Sequence, residues 1–244
     1  GQNGKDTFYA NWSNNSFGLN WINSGAAYTY DGITITAVER LLLQTGSGDD
    51  RIDNSAFNTD NNILSGAGND VINLGKGNDN VNAGTGNNIV NTGEGNDTVN
   101  VVAIQADNKS SIVYKQWNTL NGGSGIDTIN IDYSAERYYN DYSWRYSYYN
   151  FCYNIYDVEN TKTILQNSSS LSDIQTALTS MVKIEYDGTN TDVTVTNFEF
   201  INLKGSQADN LLIYQLDGTY DGPDGTDTCY ADWSDRETAV NWIN

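Results

Sequence analysis

Four consecutive stretches of this chain obey one nine-residue grammar, and that period leaves few folds open. They read Gly66-Ala-Gly-Asn-Asp-Val-Ile-Asn73, Gly75-Lys-Gly-Asn-Asp-Asn-Val-Asn82, Gly84-Thr-Gly-Asn-Asn-Ile-Val-Asn91 and Gly93-Glu-Gly-Asn-Asp-Thr-Val-Asn100. Each copy supplies two glycines, a hard oxygen donor (Asp70, Asp79, Asn88, Asp97) and then one aliphatic residue in fixed register (Ile72, Val81, Val90, Val99). A unit this short makes one turn and one strand, and its aliphatic residue is buried only when neighbouring coils stack on it. A flexible Gly/Asn linker would have no reason to keep that residue in register.

The paired glycines permit backbone angles closed to other residues and bring carbonyls close to a common point. Carboxylates and carbonyls in such number are what calcium selects. Upstream, Gly46-Ser-Gly-Asp-Asp50-Arg-Ile52 is another copy, and residues 58–63 form a degenerate one with Asp60 or Asn61 as donor. Further on, Gly122-Gly-Ser-Gly-Ile-Asp127 repeats the opening of the unit.

These residues resemble the RTX family, whose nonapeptide Gly-Gly-x-Gly-x-Asp-x-U-x marks a calcium-binding parallel β-solenoid. The resemblance implies a right-handed all-β coil in which turns eighteen residues apart stack and share an ion. Asp79 would then pair with Asp97, Asp70 more weakly with Asn88, and Asp50 would face Asp70. The metal-holding positions it implies are Gly46, Gly48, Asp50, Gly66, Gly68, Asp70, Gly75, Gly77, Asp79, Gly84, Gly86, Asn88, Gly93, Gly95 and Asp97, with Asp6, Asp127 and Asp227 in outlying copies. Lys76 and Glu94 occupy one turn position eighteen residues apart, so stacking predicts an exposed ion pair between them. The family also implies export by a type I secretion system and folding outside the cell, where calcium is abundant.

A longer repeat frames this block. Residues 1–23 match residues 222–244 with twelve identities, including Asp6 with Asp227 and Trp12 with Trp233. The chain is therefore expected to be cut from a tandem array. Its organisation reads as a first solenoid subunit (1–121) holding the calcium block 45–100, a second subunit (122–221), and the start of the next repeat (222–244), all in one continuous solenoid. Ile33 to Glu39 aligns with Val193 to Glu199, and both read as closing strands by their alternation of aliphatic and threonine. The second subunit contains an insertion at about 135–190. In it, Ser170-Leu-Ser-Asp173 looks like a capping box, and a short amphipathic helix is expected near 172–181.

The net charge of −19 argues against nucleic acid or an anionic membrane surface as partner. No stretch is long and apolar enough to insert in a membrane as a helix. Stacked carboxylate turns repel one another until a cation arrives. With no histidine in the chain, the commonest general base and every histidine-containing triad are missing, and calcium turns explain the aspartates of the repeat block. The reading is therefore a calcium-binding structural or adhesive repeat, not an enzyme. Its alternative is a calcium-dependent carbohydrate-binding module or an accessory domain of a polysaccharide-active enzyme. That alternative rests on nine tyrosines between Tyr133 and Tyr156, where Trp144, Tyr146 and Tyr148 are the candidate glycan contacts. Cys152 and Cys229 are too few for a disulfide framework.

Overall fold

The computed structural model describes residues 4–30, 32–102, 117–132, 138–140, 145–147, 151–153, 183–186, 189–198, 200–204, 211–214, 217–221 and 228–231. The first coil is β1 (Thr7–Asn11) and β2 (Asn20–Ile22), followed by β3 (Tyr28–Tyr30), β4 (Ile33–Ile35) and β5 (Arg40–Gln44). The repeat block supplies β6 (Arg51–Asp53), β7 (Asn62–Leu64), β8 (Val71–Asn73), β9 (Asn80–Asn82), β10 (Ile89–Asn91) and β11 (Thr98–Val102). Beyond it lie β12 (Trp117–Asn121), β13 (Thr128–Asp132), β14 (Tyr138–Asn140), β15 (Arg145–Ser147), β16 (Phe151–Tyr153), β17 (Lys183–Tyr186) and β18 (Thr189–Thr196). The last strands are β19 (Phe200–Lys204), β20 (Leu211–Tyr214), β21 (Asp217–Asp221) and β22 (Thr228–Ala231).

From β5 to β13, successive strands alternate between two sheets, which makes the chain a flattened solenoid. One sheet has the order β1-β5-β7-β9-β11-β13-β19-β21 and is parallel throughout. The other begins β2-β6-β8-β10-β12-β18, also parallel. Within each strand from β6 to β10 only the central side chain is buried. Ile52, Ile63, Ile72, Val81, Val90 and Val99 are at most 1% exposed and form one continuous core between the sheets. Nine residues suffice per half-coil because each strand needs a single inward aliphatic, and the coils above and below complete its packing.

Two segments depart from the reading of the sequence. The Ile33–Ile35 stretch, expected as a closing strand equivalent to Val193 onward, leaves the solenoid and pairs antiparallel with Tyr28–Tyr30. The cause is local, since Asp31-Gly32 between two alternating runs is a two-residue hairpin signal, and Gly32 takes φ 75°. The hairpin lays its tyrosines on the first coil. Tyr28 stacks on Trp21 at 5.2 Å and 4°, and Tyr30 lies 4.9 Å from Trp12. Its counterpart, β18, stays within the solenoid beside β12.

The inserted segment contributes strands as well: β17 runs antiparallel between β18 and β16, and β16 leads on to β20 and β22. β14 and β15 form a separate antiparallel pair that places Tyr146 opposite Tyr139. No helix occurs among the described residues, and the helix expected near 172–181 falls outside them, as do Trp144 and Tyr148.

Candidate metal centre

Turns stack on each edge of the solenoid, and glycine is what lets them approach. At Gly84 and Gly86 the backbone takes φ 66° and 126°, and a Cβ would overlap the carbonyl oxygens of Gly66 and Gly68 in the coil before. Parallel bridges join Asn58, Lys76, Glu94 and Ser124 down one edge and Ala67 to Thr85 down the other. Lys76 Nζ lies 2.7 Å from Glu94 Oε2, the pair that eighteen-residue stacking predicts.

The last residue of each turn points into the molecule. On one edge the file runs Asp50, Asp70, Asn88, Asn118; on the other it runs Asn61, Asp79, Asp97, Asp127. All eight are buried. Each uses its Oδ1 to accept a backbone N–H from the preceding coil. Leu19 donates to Asp50 at 2.7 Å, Asp50 to Asp70 at 2.9 Å, Asp70 to Asn88 at 3.0 Å and Asn88 to Asn118 at 3.1 Å. Across the solenoid, Leu41 donates to Asn61 at 3.0 Å, Asn61 to Asp79 at 2.6 Å, Asp79 to Asp97 at 2.7 Å and Asp97 to Asp127 at 2.8 Å.

A second file lies one residue earlier and outside, and it points the other way. Asp49 and Asp60 head it, accepting from the backbone N–H of Asn69 and Asn78 at 2.7 and 2.8 Å. Asn69 and Asn78 then accept from Asn87 and Asn96 at 3.0 and 2.8 Å. Each turn is thus clamped to the coil before it and the coil after it. Nothing in the spacing distinguished Asp60 from Asn61 as donor; the structure gives Asp60 the outer file and Asn61 the inner.

What the inner carboxylates lack is a partner for their second oxygen. Oδ2 of Asp50, Asp70, Asp79, Asp97 and Asp127 is buried and accepts no hydrogen bond. Native structures seldom leave such atoms orphaned, and an ion is one of the standard explanations. Burial pushes the Asp79 carboxyl up to about 7 and that of Asp70 up to about 6, against the opposing pull of the N–H groups they accept. Burial likewise raises Asp50 and Asp97. No three acidic, cysteine or histidine side chains converge among the described residues, so any ion here must draw most of its donors from turn carbonyls. Hard oxygen donors of this kind, one carboxylate to a turn, fit calcium and not a softer metal.

Residues 55–90, 64–99 and 116–130 match the family of RTX calcium-binding nonapeptide repeats, with four copies. This chain carries RTX calcium-binding repeats. No curated protein matches it. The RTX matches span the turns that bear Asp70, Asp79, Asp97 and Asp127, and the Asp50 turn adds one more rung of the same geometry upstream. Asp6 is not brought into the buried file: it is half-exposed, its N–H donating to Glu39 Oε2 at 2.8 Å. Asp227 lies outside the described residues.

Proposed function

We propose that this chain is a structural or adhesive repeat segment of a secreted or cell-surface protein, ordered by calcium once outside the cell. Support comes from the five buried Oδ2 atoms. An ionised carboxylate held out of water with one oxygen unpaired carries a penalty of several kcal/mol, and a bound cation removes it. Under this reading Asp50, Asp70, Asp79, Asp97 and Asp127 hold the ions, together with carbonyls of the glycine turns at Gly46, Gly48, Gly66, Gly68, Gly75, Gly77, Gly84, Gly86, Gly93 and Gly95. Calcium supplies the positive charge that joins one coil to the next.

Because the ion binds only the stacked form, it adds RT ln(1 + [L]/Kd) to stability, and extracellular calcium modules work at Kd of roughly 10⁻⁴ to 10⁻³ M. In calcium-poor cytosol the chain stays open and suits export by a type I route; outside, it folds. We assign residues 1–121 and 122–221 to two subunits of one repeat, with 222–244 opening the next. A circular dichroism titration tests the reading: calcium should drive a cooperative gain of β-structure that EGTA reverses. An ordered chain indifferent to EGTA would remove it.

A further inference from the structure

The inner files hold two kinds of rung, five acids and three amides. Successive coils pair Asn61 with Asp70, Asp79 with Asn88, and Asp97 with Asn118. Counted this way each coil carries one acid and one amide, while the consecutive turns of Asp70 and Asp79, which belong to adjoining coils, are both acidic.

The amides differ from the acids in more than charge. Asn88 accepts the Asp70 N–H at its Oδ1, and its Nδ2 donates to the Ala83 carbonyl at 2.9 Å. Asn61 accepts the Leu41 N–H, and its Nδ2 donates to the Thr59 carbonyl at 2.8 Å and to Asp79 Oδ1 at 2.9 Å. Both side chains are satisfied at both ends. Where an aspartate leaves an orphaned oxygen, these two turns place an N–H that already holds a carbonyl of its own turn. A cation at that point would meet a donor hydrogen instead of a lone pair. The bond lengths sort in the same way. N–H to carboxylate distances along the files are 2.6–2.9 Å and N–H to amide distances 3.0–3.1 Å, as charge-assisted and neutral bonds should. Asn118 shares the acceptor role, but its Nδ2 has no partner, so the argument rests on Asn61 and Asn88.

We propose that Asn61 and Asn88 close their turns with their own amides in place of an ion, so that calcium goes to the aspartate turns and these two turns hold without metal. The proposal rests on the calcium reading above and adds to it which turns are occupied. Its consequence is physical: these two turns add no buried charge, and the bonds that close them on their own carbonyls do not depend on calcium.

Counting bound calcium by native mass spectrometry on the full chain, with Asn88→Asp and Asp70→Asn as reciprocal variants, tests this. Asn88→Asp should bind one ion more than the parent chain and lose more of its β-ellipticity in EGTA. Asp70→Asn should bind one ion fewer and retain more. If the parent binds no calcium, the functional reading fails; if it binds calcium and Asn88→Asp folds with an unchanged count, only the amide closure fails. Should Asn88→Asp not fold even in saturating calcium, Asp70→Asn decides alone, and an unchanged ion count there overturns the proposal.

Discussion

The Asp79 backbone N–H donates to Asp97 Oδ1 at 2.7 Å, while Asp79 Oδ1 takes the N–H of Asn61 at 2.6 Å. One residue thus reaches both neighbouring coils, through its main chain in one direction and its side chain in the other. Replacing Asp97 by alanine strands the buried Asp79 N–H and, under the proposed function, also removes a calcium oxygen. The first loss alone costs about 1–3 kcal/mol. In saturating calcium, Asp97→Ala should melt well below the parent chain and need more calcium to fold, as read by thermal circular dichroism. An unchanged melting point would show that the file carries no stability.

Without calcium, the same carboxylates should respond to acid in an unusual direction. The Asp79 carboxyl is raised to about 7 and that of Asp70 to about 6, from an ordinary value of 3.8 in the open chain. Between these limits the folded form binds more protons than the unfolded one, so stability falls as pH rises. The contribution is complete below the unfolded value and is lost as pH climbs through about 6 for Asp70 and about 7 for Asp79. In EGTA the residual β-ellipticity should therefore fall between about pH 4 and about pH 7. In calcium, where protons and the ion compete for the same oxygens, that drop should vanish or reverse. β-ellipticity that rose with pH in EGTA would contradict this assignment.

The stacking of turns was legible because it depends on spacing alone. Nine residues per half-coil forces eighteen between stacked positions, which is enough to bring Lys76 to Glu94. Spacing also reaches Asp50 and Asp70, although twenty residues separate them, since the extra two lie in a turn and leave the strand register intact. It does not say what a side chain does after arriving. That the inner residue turns inward and accepts an N–H, while its neighbour accepts one from the opposite coil, depends on backbone direction at each turn, and period carries no record of it. The hairpin at Tyr28–Ile35 was missed for another reason. The alternation of Ile33 and Ile35 is shared by a solenoid strand and a hairpin arm, and only the Asp31-Gly32 pair in the sequence tells them apart.

Glycine at the stacked turns is a stricter requirement than metal binding. A Cβ at Gly84 would overlap the Gly66 carbonyl oxygen, and the residue sits at φ 66°. Gly84→Ala should force the coils apart and cost more than the roughly 1–3 kcal/mol of backbone strain alone. Thr85→Ala, at the next position of the same turn, serves as a near-neutral comparison. Similar melting temperatures for the two variants would mean that the turns are not in contact.

The Lys76–Glu94 pair reports geometry more than it supplies energy. Both side chains are over half exposed, 56% and 59%, and such pairs contribute about 0.2–1 kcal/mol. A double-mutant cycle to alanine in calcium should give a coupling within that range, diminishing as salt is raised. The same cycle in EGTA should give none if loss of calcium unstacks the turns, so the pair serves as a local probe of the coil interface.

The two cysteines should remain apart. Cys152 is aligned with Leu211 on one side of β20, and Cys229 with Leu212 on the other. Two strand spacings of about 4.8 Å place their Cα atoms roughly 9–10 Å apart, beyond the ~7 Å that a disulfide can bridge without backbone movement. Calcium-loaded protein exposed to mild oxidant, then denatured in the absence of reductant, should give two free thiols per chain on reaction with a thiol reagent. Recovery of none, with the chain still monomeric, would mean that β16 and β22 do not flank β20, and the strand order at that end of the second sheet would have to be redrawn.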